Sequence, residues 1–176
     1  MDWTDVLTIW ESNFEKLGYW ESEFNNWVSE TQELIIVLCV RVNTREKDFA
    51  IDMGIIFKKR YNDHSLKTPV FDDHDIGQGL YNILEDMGEL EYYLNNLFCY
   101  DPDINTDAEV TDNISELVML FQKKVIPYFE QLDNYTSQVE DFEEETTWKP
   151  FLRYFRPSPE NDMLFFGRLE KYYRQP

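Results

Sequence analysis

The one local run of side chains suited to holding a metal ion or moving a proton is Asp72-Asp73-His74-Asp75. Carboxylate oxygens suit hard cations, and an imidazole adapts a site to a transition metal or serves as a general base. Four adjacent residues rarely converge on one ion, and the run lacks the glycine and distal glutamate of a calcium loop. The expected role is structural: Asp75 caps the helix that follows and its neighbours are solvated. His64 and His74 are the only histidines, and neither sits in a nucleophile motif. The chain has no Gly-x-Ser-x-Gly, no phosphate-cradling glycine loop, no Cys-x-x-Cys and no His-Glu-x-x-His. Cys39 lies in the apolar run Leu34 to Val40, where burial would raise its thiol pKa and oppose nucleophilic use. It is expected to be a buried free thiol. No catalytic residue, metal or cofactor is therefore assigned. A metal-dependent or acid–base enzyme centred on Asp72, Asp73 and His74 is the alternative to a binding function.

Charge carries more information than any motif. Between Thr68 and Gln122 the chain holds thirteen carboxylates and no lysine or arginine, which supplies most of a net charge of −19. Leu80, Tyr81, Ile83, Leu84, Met87 and Leu90 run through the same stretch, so much of it is expected to fold. A folded negative surface repels nucleic acid and anionic membrane and favours a basic partner or a cation. Arg41, Arg45, Lys47, Lys58, Lys59, Arg60 and Lys67 make a basic patch, yet residues 1–67 still sum to −4. Internal pairing or a solvated strand edge accounts for that patch better than a nucleic-acid site.

The elements that must position these charges are read from periodicity. Trp3, Val6, Leu7, Trp10, Phe14 and Leu17 recur at helical spacing, with Gly18 as a left-handed C-cap. Phe24 to Ser29, Glu33 to Asn43 and Phe49 to Phe57 read as an antiparallel meander, turning at Glu30-Thr31-Gln32 and at Thr44 to Lys47. Arg60 to Gly79 reads as irregular. Leu80 to Phe98 is helical in spacing, interrupted near Gly88 and stopped at Asp101-Pro102. Thr111 or Asp112 is the expected N-cap of the next helix, and Pro127 predicts a kink or break in it. The predicted class is α+β: an N-terminal helix, an antiparallel meander of three to four strands, and a helical C-terminal half packed on the sheet. One domain spans 1–176, with a body over 1–138, an acidic linker at 139–145 and a basic, aromatic helical segment at 146–176 docked on the body. The N-terminal residues lack the features of a secretory signal, and no apolar run reaches membrane-spanning length, so a cytoplasmic protein is expected.

Several of these pieces have a counterpart in a known family. Leu17-Gly18-Tyr19, Asn26-Trp27-Val28-Ser29-Glu30, Leu34 to Leu38 and Ile51-Asp52-Met53-Gly54-Ile55-Ile56-Phe57 follow one another in order. Asp75-Ile76-Gly77 and Val125-Ile126-Pro127-Tyr128-Phe129 come later. Over about residues 1–138 this pattern resembles the bacterial domain of unknown function numbered 4304. The resemblance implies an α+β domain and a setting in which small acidic proteins resemble immunity proteins of toxin systems. It carries no catalytic residue.

The expected function is thus a non-enzymatic, acidic protein-binding module, an immunity-type inhibitor that captures a basic toxin electrostatically. Asp86, Glu89, Tyr92 and Tyr93, together with Asp101, Asp103 and Asp107, are the expected partner-binding residues. Neither nucleic acid nor membrane is an expected partner, and the oligomeric state is left open. A scaffold subunit assembling through the aromatic C-terminal segment is a further alternative.

Overall fold

The computed structural model describes residues 1–23, 25–60, 69–71, 74–88, 97–139, 154 and 156–157. Helix α1 (Trp3–Lys16) opens on a reciprocal cap: the Asp2 carboxylate accepts from the Thr4 and Asp5 amides, and Asp5 accepts from the Asp2 amide. It closes as its sequence requires. Gly18 takes φ +84, a left-handed conformation that costs other residues more. Val6, Trp10 and Phe14 bury one stripe of the helix.

Six strands form one antiparallel sheet in sequential order: β1 (Trp20–Glu21), β2 (Asn26–Glu30), β3 (Leu34–Asn43), β4 (Asp48–Phe57), β5 (Ile76–Gly79) and β6 (Arg156–Pro157). The α+β class and the meander hold. The sheet nevertheless exceeds the expected three to four strands, because its two edges are two-residue strands too short to announce themselves. The stretch read as irregular contains β5. Only four residues long and carrying two glycines, β5 gives no β-propensity signal, and it is held by its register against β4. Arg156–Pro157, expected as part of a helical segment, is extended and pairs with β5.

Period-2 alternation sorts the two faces. Leu34, Ile36, Leu38 and Val40 of β3, and Phe49, Ile51, Met53, Ile55 and Phe57 of β4, join one aromatic-rich core with Trp10, Phe14 and Trp27. The helices α2 (Leu80–Asp86), α3 (Asp107–Leu120) and α4 (Ile126–Gln138) pack on that same core through Ile83, Leu84, Ile114, Leu117, Phe129 and Leu132. Helices thus cover one face. On the other, Val28, Val37 and Ile56 form a smaller cluster against Ile35 and Phe71. Cys39 points to this second face and is only partly buried, contrary to expectation; Cys99 is the buried thiol, and neither is in a disulfide.

Two helix boundaries also differ from expectation. The helix begins at Asp107 with Thr106 as N-cap, not at Thr111 or Asp112. Thr106 and Glu109 form a full capping box, whereas Thr111 lies a turn inside and its hydroxyl bonds back to the Asp107 carbonyl. Pro127 does not break the run of helix. A π-helical segment, Phe121–Val125, precedes it, with the Ile126 amide donating to the Phe121 carbonyl, and Pro127 sits in the first turn of α4. The widened turn absorbs the ring that an uninterrupted α-helix would exclude. Tyr154 packs on Tyr128 of α4, with ring centroids 5.1 Å apart. No helix among the described residues is long and apolar enough to cross a membrane.

Candidate functional site

The acidic stretch 97–106 that leads into α3 is fixed by the β3–β4 hairpin. Lys47 adopts φ +53 in that turn. Its carbonyl accepts from the Tyr100 amide (2.9 Å), the Phe98 carbonyl accepts from the Phe49 amide (2.8 Å), and the Lys47 ammonium reaches the Asp101 carboxylate at 3.0 Å. The loop then closes on itself. The Asp101 carbonyl accepts from the Ile104 and Asn105 amides, its carboxylate accepts from the Asp103 amide, and the Asn105 side chain donates to the Cys99 carbonyl. Asp101 is held below the usual carboxylate range, first by the Asp103 N–H and then by Lys47.

At the end of this loop the first turns of α1 and α3 meet. The Met1 ammonium pairs with Asp107, and that bond is the main reason its pKa is raised. Asp2 and Glu109 are each lowered by local donors: Asp2 first by the Thr4 hydroxyl, Glu109 first by the Thr106 amide. Such bonds do not cancel charge. They keep these carboxylates ionised, and carboxylates at a helix N-terminus are favoured by its dipole.

The expected partner-binding residues divide accordingly. Asp101, Asp103 and Asp107 fall within this one loop-to-helix junction. Asp101 is committed to Lys47 and Asp107 to Met1, while Asp103 is exposed without an ion pair among the described residues. Asp86 ends α2, exposed and likewise without an ion pair among the described residues, and no described contact links it to the junction. Glu89, Tyr92 and Tyr93 lie outside the described residues, as do Asp72, Asp73 and His64.

Residues that sequence reasoning passed over belong to the same layer. Asp112 and Glu116 stand four apart on α3, with Asp112 exposed and Glu116 half-buried; Glu85 is exposed on α2. The correct start of α3, readable from Thr-x-x-Glu at Thr106 to Glu109, would have placed the first two on one helix face. Trp3 and Ile104 are exposed by 46% and 54%. Periodicity puts Trp3 in the buried stripe, but the stripe overruns the core by one turn.

The basic patch behaves differently from the acidic layer. Arg41 pairs with the buried Asp52, Arg45 with Glu46, Lys47 with Asp101, Lys58 with Glu30 and Lys59 with Glu33. Lys59 also donates to the Thr136, Ser137 and Val139 carbonyls at the end of α4. Asp133 of α4 accepts from the Glu33 amide and the Thr31 hydroxyl, so the same helix pins the β2–β3 turn. Arg41, Lys47, Lys58 and Lys59 are structural braces, whereas the exposed Arg45–Glu46 pair joins chain neighbours.

His74 and Asp75 are placed by the second sheet face. Gly54 and Gly77 are direct partners across β4 and β5. A Cβ on either would come within 2.6 Å of His74, so the paired glycines make a flat seat for its side chain. The ring stacks on Phe71 at 4.4 Å and its Nδ1 bonds the Phe71 carbonyl. Asp75 does not cap a helix. Its amide donates to the Ile55 carbonyl, and its buried carboxylate accepts from the Phe57 amide at 2.8 Å, which locks the entry to β5. No group of three or more His, Cys, Asp or Glu among the described residues is arranged to hold a metal ion. Comparison of the chain with protein-family models, with curated proteins and with solved structures finds no match.

Proposed function

We propose that the chain is a non-enzymatic, cytoplasmic binding module that captures a basic protein on its acidic helical layer, as an immunity-type inhibitor captures a toxin. The carrying observation is an asymmetry of pairing. Arg41, Arg45, Lys47, Lys58 and Lys59, in and beside the sheet, are ion-paired within the chain, whereas Glu85, Asp86, Asp103, Asp112 and Glu116 have no ion pair among the described residues. Internal bonding has taken up these five cations and left these carboxylates as an anionic surface. Complementary charge of this kind raises association rates and rejects anionic partners such as nucleic acid. The resemblance over residues 1–138 supplies the inhibitor class as a motive.

The test is kinetic. The natural first partner is the product of the neighbouring reading frame, if it is basic. Its association rate should fall steeply as salt rises, and the combined Asp86→Lys, Asp103→Lys, Asp112→Lys and Glu116→Lys variant should lower it by about tenfold or more at low salt. A reversed variant that associates as fast as the native chain at low salt would remove this surface from the account.

A further inference from the structure

Electrostatic capture supplies encounter rate, while tight interfaces also bury a few apolar anchors, tryptophan prominent among them, inside a polar rim. The helical stripe of α1 runs Trp3, Val6, Trp10, Phe14. The last three are at most 1% exposed and Trp3 is 46% exposed. Its ring therefore extends past the core at the end where α1 meets α3. Ile104, 54% exposed, stands three residues before Asp107, and Asp107 is tied to Met1, two residues before Trp3. The two exposed apolar side chains thus flank one junction. Around it lie Asp2, Asp5, Asp103, Asp107 and Glu109, all exposed. Among the described residues the other large exposed apolar groups are Trp20 on β1 and Met119 near the end of α3.

We propose that Trp3 and Ile104 are the apolar anchor of the acidic surface, receiving an aliphatic or aromatic side chain from a lysine- and arginine-rich segment of a protein partner. This rests on the acidic-recognition reading above. Charge selects the occupant. A second copy would bring a net charge of −19 against the same carboxylate rim, and an anionic membrane or nucleic acid would be repelled likewise. A basic segment gains from the rim on approach and from the anchor once seated.

Two synthetic peptides of equal positive charge test it on the full chain, one with two central leucines and the other with serines there. At low salt both should bind. At about 0.15 M salt the leucine peptide should bind about tenfold more tightly, equivalent to about 1.4 kcal/mol. Trp3→Ala and Ile104→Ala should each bring it down towards the serine peptide without altering the salt dependence of either. Ile104→Ala keeps the helix stripe intact, so a packing defect at Trp3 would not mask the result. Equal affinity of the two peptides for the native chain, or unchanged affinity in both variants, overturns the anchor and leaves the acidic reading standing. Failure of both peptides to bind at low salt overturns the two together. Dimerisation of the chain that Trp3→Ala abolishes would assign the anchor to a second copy instead and equally overturn the proposal.

Discussion

His74 and Asp75 show how a residue's apparent chemistry is redirected by what packs on it. The His74 side chain fills the seat left by Gly54 and Gly77, so a methyl at position 54 would collide with its Cβ, an atom that cannot swing aside. Gly54→Ala should destabilise by about 1–3 kcal/mol, the usual range for overpacking. Combining it with His74→Gly, which removes that Cβ, should recover part of that loss in urea denaturation. Additive losses would show that the seat is not where the strain falls. Asp75→Ala removes the carboxylate acceptor of the buried Phe57 N–H and should cost about 1–3 kcal/mol, whereas Asp75→Asn keeps an acceptor oxygen and should cost less. Equal losses in the two variants would mean that the negative charge, not the acceptor, is what the site requires. Neither role was legible in the sequence. A pair of glycines becomes a seat only through a register between strands more than twenty residues apart, and Asp75 looks like a cap until β5 is known to follow it. Gly18 was legible, because a C-cap depends only on its own helix.

At the scale of elements, legibility follows the length of the repeating pattern. The helix α1 and the strands β2, β3 and β4 carry long, clean periodicities and lie within a few residues of where the sequence puts them. The two-residue edge strands and β5 carry none. The start of α3 is ambiguous by a turn in the sequence, because Thr111-Asp112 resembles a cap as much as Thr106-Asp107 does. What distinguishes Thr106 is the reciprocal bond with Glu109. Thr106→Ala should therefore cost about 1 kcal/mol. Thr111→Ala should stay within about 0.5 kcal/mol of the native chain. The reverse order would contradict the observed boundary. Glu109 adds a pH signature. Its pKa in the folded chain is lowered, so its contribution is present above the unfolded carboxylate value, about 4.3, and disappears as pH falls through the lower folded value. The stability difference between the native chain and Glu109→Ala should accordingly be full at pH 7 and shrink in strongly acidic solution. A difference that grows on acidification would reverse that sign.

The whole molecule sets ion pairs that favour folding against a net charge of −19 that opposes it. The net charge was fully legible; its partition into braced cations and unpaired carboxylates was not, because pairing depends on the fold. Salt screens both contributions. Exposed pairs such as Arg45 with Glu46 contribute little, while repulsion acts among all the carboxylates at once. Repulsion should win, so sodium chloride should raise Tm between about 0.01 M and 0.5 M, where the Debye length contracts from about 30 Å to a few ångströms. Each kcal/mol of relieved repulsion corresponds to about 2–4 °C in a chain of this size. The same reasoning separates a functional surface from a merely solubilising one. If Asp112 and Glu116 are retained for a partner, they are retained against stability, and the double variant Asp112→Asn, Glu116→Gln should melt higher than the native chain at low salt. That gap should close as salt rises, since screening removes the repulsion the substitutions remove. A double variant that melts lower at every salt concentration would instead make the two carboxylates structural, and the candidate surface would shrink to Glu85, Asp86 and the loop around Asp103.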